Sequence, residues 1–108
     1  LKNCDFFGAP VGLFFCLDRR VGPPQWADVG MYMQTVMLLA IERELDTCPQ
    51  EFWASWSNTV AGHIGLADDH MLFAGMSLGY RIPDHPLNTY RTPRAPLEAV
   101  SEMCGFEM

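Results

Sequence analysis

The sequence has no pair of cysteines at C-x-x-C spacing, although it holds four: Cys4, Cys16, Cys48 and Cys104. That removes the usual zinc and dithiol redox frames. His63, His70 and His85 form no H-E-x-x-H pair and no Cys/His ligand spacing, so no metal site is expected. No serine stands in a G-x-S-x-G elbow, and no G-x-G-x-x-G follows a strand. No side chain is a convincing general acid, so no catalytic residue is assigned. Basic residues are few: 7 Lys and Arg against 13 Asp and Glu, a formal charge of −6. That balance argues against nucleic acid as the main partner. The longest apolar run falls far short of the roughly 20 residues that cross a bilayer as a helix, so no membrane partner is expected. The first residues carry no charged stretch followed by an apolar run and a small-residue cleavage site. Cys16 and Cys48 lie in apolar or capping contexts and read as reduced, packed thiols. The expectation is a cytoplasmic protein.

What the chain has in quantity is apolar surface. Hydrophobic residues make up 49% and aromatics 12%, with seven Met and three Trp. This is too apolar for a disordered segment. It suits at most one domain, with a deep core or an oligomer interface. The chain opens on Leu1 rather than Met and almost at once enters Phe6-Phe7-Gly8-Ala9-Pro10 and an apolar strand. The expectation is a sequence that begins in the middle of a larger protein.

The order reads strand, helix, helix, strand, extended arm, short helix. Ala9 to Asp18 is a nearly continuous apolar run, which implies a strand buried on both faces. A long helix runs from about Gln25 or Asp28 to Glu44, with Asp28 as N-cap or first-turn carboxylate. It is apolar nearly all round, where a surface helix would show one stripe, so something must cover several sides. Thr47 and Gln50 fit a capping box with Pro49 in the first turn, and predict a second helix starting there. Trp53, Trp56, Val60 and Ile64 give that helix an apolar face. Met71 to Tyr80 reads as a second strand, with Gly75 and Gly79 as packing positions. Arg81 to Pro96, with four prolines, reads as an extended arm, and Leu97 to Phe106 as a short helix. Two doubly buried strands need more helices and strands than this chain supplies, so a partner is implied.

Three features could carry chemistry. Cys48 at a helix N-terminus could be an activated thiol, although a packed thiol before a proline is the plainer reading. Backbone N–H groups at Gln50, Glu51 and Phe52 would be unpaired at the helix start and could donate to an electron-rich heteroatom on a flat ligand. An ordinary connection explains the same residues. Arg91 and Arg94, three apart on a proline-stiffened arm, could grip a phosphate through charge-assisted forks, or simply be solvated.

The blocks FFGAPVGLFFCLDRR, LDTCPQEFW and MLFAGMSLGYRIPDHPLNTYRTPRAPL, in this order around the apolar helix, resemble the C-terminal half of the FMN-dependent nitroreductase family. The resemblance covers nearly the whole chain. It implies an α+β fold, with central sheet strands flanked by helices and an extended C-terminal arm. Residues 1–108 would be the C-terminal portion of one such domain, with the N-terminal half absent. It further implies an NAD(P)H oxidoreductase that reduces nitroaromatics, quinones or similar small aromatic acceptors through FMN. By the resemblance, Pro49, Gln50, Glu51 and Phe52 back the flavin ring near N5, and Arg91 and Arg94 hold its phosphate. The Asp28–Glu44 helix and the arm would pack across a homodimer. Two other readings stand beside this one: a non-catalytic dimerisation module, and one half of a split flavoenzyme.

Overall fold

A computed structural model of the chain describes residues 2–105. Three strands, β1 (Val11–Asp18), β2 (Asp46–Gln50) and β3 (His70–Gly79), form one antiparallel sheet in the order β1-β3-β2. The helices are α1 (Pro23–Ile41), α2 (Ser57–Ile64) and a single turn α3 (Pro86–Thr89). Short 3-10 segments cover Lys2–Gly8, Glu51–Trp56 and Leu97–Ala99. This is the α+β class implied by the resemblance, with helical elements packed against a central sheet and an exposed arm behind it.

β3 is the middle strand, which accounts for its apolar sequence. Leu72, Ala74 and Met76 are buried, and Met76 has no exposed surface. One face of the sheet carries Leu13, Phe15, Ala74 and Met76, packed against Val29, Met33, Val36 and Met37 of α1. Those α1 positions recur at helical spacing, so one stripe of the helix is covered by its own chain. The opposite stripe is bare: Met31, Tyr32, Leu38, Leu39 and Ile41 are exposed. The radius of gyration is 17.4 Å, against about 13 Å for a compact chain of this length. Both observations describe a chain that has not closed on itself.

Several boundaries differ from the sequence reading. α1 begins at Pro23, with Gly22 as N-cap and φ 74°, so Asp28 lies inside the helix. Proline is well tolerated in a first turn, so Pro23-Pro24 open the helix. The helix expected to begin at Thr47 is instead strand β2, whose Asp46 to Gln50 pair with Gly79 to Gly75. Tertiary pairing outweighs the capping box here. Pro49 is compatible with an edge strand, where a missing N–H can face solvent. Helical structure starts at Glu51, first as a 3-10 turn. Cys48, expected to be packed, is exposed on this strand. The last predicted helix shrinks to Leu97–Ala99, followed by irregular chain to residue 105; Phe106 lies outside the described residues.

The stop after α1 has a defined geometry. Leu45 N–H donates to Ala40 O at 3.0 Å and Glu44 N–H to Ile41 O at 3.0 Å, the pairing of a Schellman ending. Glu44 takes φ 58° to make it, a left-handed conformation that favours glycine. Glu44→Gly is therefore expected to stabilise the fold by about 0.4–1 kcal/mol. The check is thermal unfolding, with a rise of roughly 2–8 °C.

Candidate functional site

The second face of the sheet is built by two glycines. Phe14, Gly75 and Gln50 are cross-strand partners in one row over β1, β3 and β2, so they face the same side. A Cβ on Gly75 would overlap Trp53 Cδ1 and stand 3.0 Å from its Cγ and Nε1. The indole therefore lies directly on the strand. One row along, a Cβ on Gly12 would overlap the Phe6 ring. Phe6 stacks on Trp53 with centroids 4.8 Å apart, and Phe14 meets the indole edge-on at 5.3 Å. Phe52 closes the far side of Trp53 at 5.6 Å. Gly79, read from sequence as a packing position, lies against Pro10.

This aromatic layer fixes the end of β2 and the turn after it. Pro49 is exposed, Gln50 is buried, Glu51 is exposed and Phe52 is half-buried. Gln50 Nε2 donates to Asn3 O at 3.1 Å and to Asn3 Oδ1 at 3.0 Å. Glu51 and Phe52 open the 3-10 turn, and the first N–H groups of such a turn have no intrahelical partner. Gln50, in contrast, belongs to the ladder with Gly75. Glu51 and Phe52 are thus the residues whose N–H groups the turn itself leaves without a partner.

The residues fit a flat group with acceptor atoms along one edge. They offer N–H donors beside an exposed, φ-restricted proline, on an aromatic base that cannot give way. Arg91 and Arg94 fit a phosphate in charge and fork geometry. They lie on the exposed arm. Arg91 Nη1 donates to Asn88 O at 2.9 Å and Tyr90 O at 3.1 Å, and Arg94 Nη1 donates to Thr92. No hydrogen bond or ion pair among the described residues joins either arginine to Pro49–Phe52.

A link that sequence reading missed ties the arm to β2. Arg81 N–H donates to Asp46 Oδ2 at 2.9 Å, and its Nε to Oδ1 at 2.7 Å. The arm thus leaves from one end of β2 while the candidate turn sits at the other. Arg81's hydrogen bonds hold the Asp46 carboxyl below its ordinary pKa. A carboxylate held low adds stability above its unfolded pKa of about 3.9 and loses it as pH falls through the lowered folded value. Protection of the Arg81 amide against hydrogen exchange is expected to be flat down to about pH 5 and to fall below about pH 4. Asp46→Asn should abolish that acid step.

Comparison with known proteins bears on the same blocks. Residues 1–80 match the description "Nitroreductase family". The chain belongs to the nitroreductase family. It is 39% identical over 105 residues to a 4-nitrobenzoate reductase of Pseudomonas putida, covering 97% of this chain and 46% of that protein. Among solved structures, it is similar to the FMN and NADPH-dependent nitroreductase NfnB of sphigopyxis sp. strain HMH. There the TM-score is 0.92 and the identity 47%, over 97% of this chain and 47% of the other. The FMN-dependent NfnB of Mycobacterium smegmatis, solved in complex with NADPH, superposes with a TM-score of 0.86 at 27% identity, over 94% of this chain and 46% of the other. The nitroreductase-like fold is thereby established for this chain. The chain spans about half the length of each of these relatives. No helix among the described residues is long and apolar enough to cross a membrane.

Proposed function

We propose that this chain forms the C-terminal half of a cytoplasmic FMN-dependent NAD(P)H oxidoreductase of nitroreductase type, acting on nitroaromatic, quinone or similar acceptors. The observation that carries the reading is the turn at Pro49–Phe52: the first residues of a 3-10 turn set on a packed aromatic layer, in a chain of this family. FMN, when bound, would supply the hydride-transfer chemistry between NAD(P)H and the acceptor. The chain's own part is positional. Glu51 and Phe52 would donate backbone hydrogen bonds at the ring edge, where reduction changes the electron density. Pro49 keeps that edge stiff and brings no competing donor. Arg91 and Arg94 would neutralise the phosphate once the arm is laid against the rest of the fold.

The exposed α1 stripe and the arm supply the partner surface. A second copy packed on Met31, Leu38 and Ile41 would cover the residues that the chain leaves bare. The same stripe favours the second reading, a non-catalytic dimerisation module. Visible absorption of the assembled protein separates the two. Bound FMN gives a yellow protein, and Arg94→Ala is expected to weaken FMN retention roughly tenfold to a hundredfold by removing a charge-assisted contact. Equilibrium dialysis measures it. A colourless assembly that dimerises normally supports the module instead.

A further inference from the structure

We propose that Gln50 is a positioning residue whose side chain, acting through Asn3 and Trp53, sets the N–H groups of Glu51 and Phe52. The inference rests on the flavin reading of that turn. Gln50 is 3% exposed, which is unusual for an amide beside a turn. The orientation of its amide follows from its partner. Asn3 O is a main-chain carbonyl and only accepts, so the group within 3.1 Å of it must be the NH2 of Gln50. Gln50 Oε1 therefore points the other way. It is buried and has no hydrogen-bond partner among the described residues.

Three residues on, Trp53 Nε1 is also buried and also without a partner. One atom is an acceptor and the other a donor. Both side chains lie against Gly75: Gln50 is its cross-strand partner, and Nε1 comes within 3.0 Å of the Gly75 Cβ position. Buried polar groups are almost always paired, because a bare one keeps its full desolvation cost. The proposed positioning role pairs them, Nε1 donating to Oε1, across the two residues that separate them in sequence. That turn is Glu51-Phe52.

The other end of the bolt is under strain. Phe6 and Phe7 take φ of 45° and 58°, left-handed values that bulky residues rarely adopt. The Asn3–Gln50 hydrogen bonds and the Phe6–Trp53 stack are the described contacts that hold this segment on the turn. Gln50 thus ties a strained N-terminal segment to the residue that precedes the donor groups, and Phe6 ties the same segment to the indole.

Gln50→Met keeps length and apolar volume but neither donates nor accepts. The test, in the assembled flavoprotein and in its apo form, measures exchange of the Trp53 indole N–H by NMR, the flavin absorption spectrum, and kcat and KM. The expected result is indole exchange at least roughly tenfold faster, a shifted flavin band, and a fall in kcat with KM for the acceptor unchanged. Asn3→Ala should give a smaller change in the same direction. Unchanged indole exchange in Gln50→Met overturns the inference. Faster exchange with an unaltered flavin band also overturns the positioning role, provided that Glu51→Pro does alter the band. If neither variant alters it, the flavin reading itself has failed and the inference with it.

Discussion

Gly75→Ala should be among the most damaging single-methyl changes in this chain. β-Strand backbone accepts alanine, so the effect comes from space alone. The added Cβ falls on Trp53 at the root of the indole, not at a mobile tip. Trp53 cannot yield within the layer, since Phe6, Phe14 and Phe52 all pack on it. Overpacking of this kind costs about 1–3 kcal/mol, which for a domain of this size lowers the melting temperature by roughly 4–20 °C. Tryptophan fluorescence should shift to the red as the indole lifts into solvent. Gly62→Ala is the control. A Cβ there meets nothing within 4 Å, and the site is inside α2, so about 0.5–1 kcal/mol of stabilisation is expected.

The second large effect is on function. Glu51→Pro deletes one N–H and leaves the turn intact. The first residue of a 3-10 turn has a φ near the value proline imposes, and its N–H has no partner within the turn to lose. Gln50 before it is extended, with φ −137° and ψ 95°, in the region that a residue preceding proline prefers. The fold should therefore survive. If the Glu51 N–H serves the reacting edge of the ring, removing it should slow flavin reduction by roughly a hundredfold or more, the scale for one preorganised donor. Glu51→Ala, which keeps the N–H, should reduce at close to the wild-type rate.

How much of this was legible before the structure depends on range. β1, α1 and β3 stand within a few residues of where apolar patterning puts them, because their burial is written into contiguous sequence. β2 was misread as a helix start. Thr47-Cys48-Pro49-Gln50 satisfies local capping rules, while the partner that overrides them, Gly75–Gly79, lies more than twenty residues away. The Asp46–Arg81 and Asn3–Gln50 links were missed for the same reason. Each joins residues 35 and 47 positions apart, with no spacing to betray it. Gly12 and Gly75 did carry a signal. A glycine inside an apolar strand marks close approach, and here the approaching groups are Phe6 and Trp53.

The bare stripe of α1 was legible as a need for cover, and the structure sharpens that to named positions. The candidate turn at Pro49–Phe52 could be singled out from capping rules, and the resemblance to the family proposed what it would face. What the structure adds is the reason it can be rigid: a tryptophan set on a glycine, braced by three other aromatic rings.

Stopped-flow reduction by NADPH of the FMN-loaded Glu51→Pro and Glu51→Ala proteins, matched for melting temperature, tests the central claim most directly. The account predicts that the alanine variant reduces like the wild type while the proline variant is slower by roughly two orders of magnitude. Equal rates in the two variants, with both folded and flavin-loaded, would contradict it.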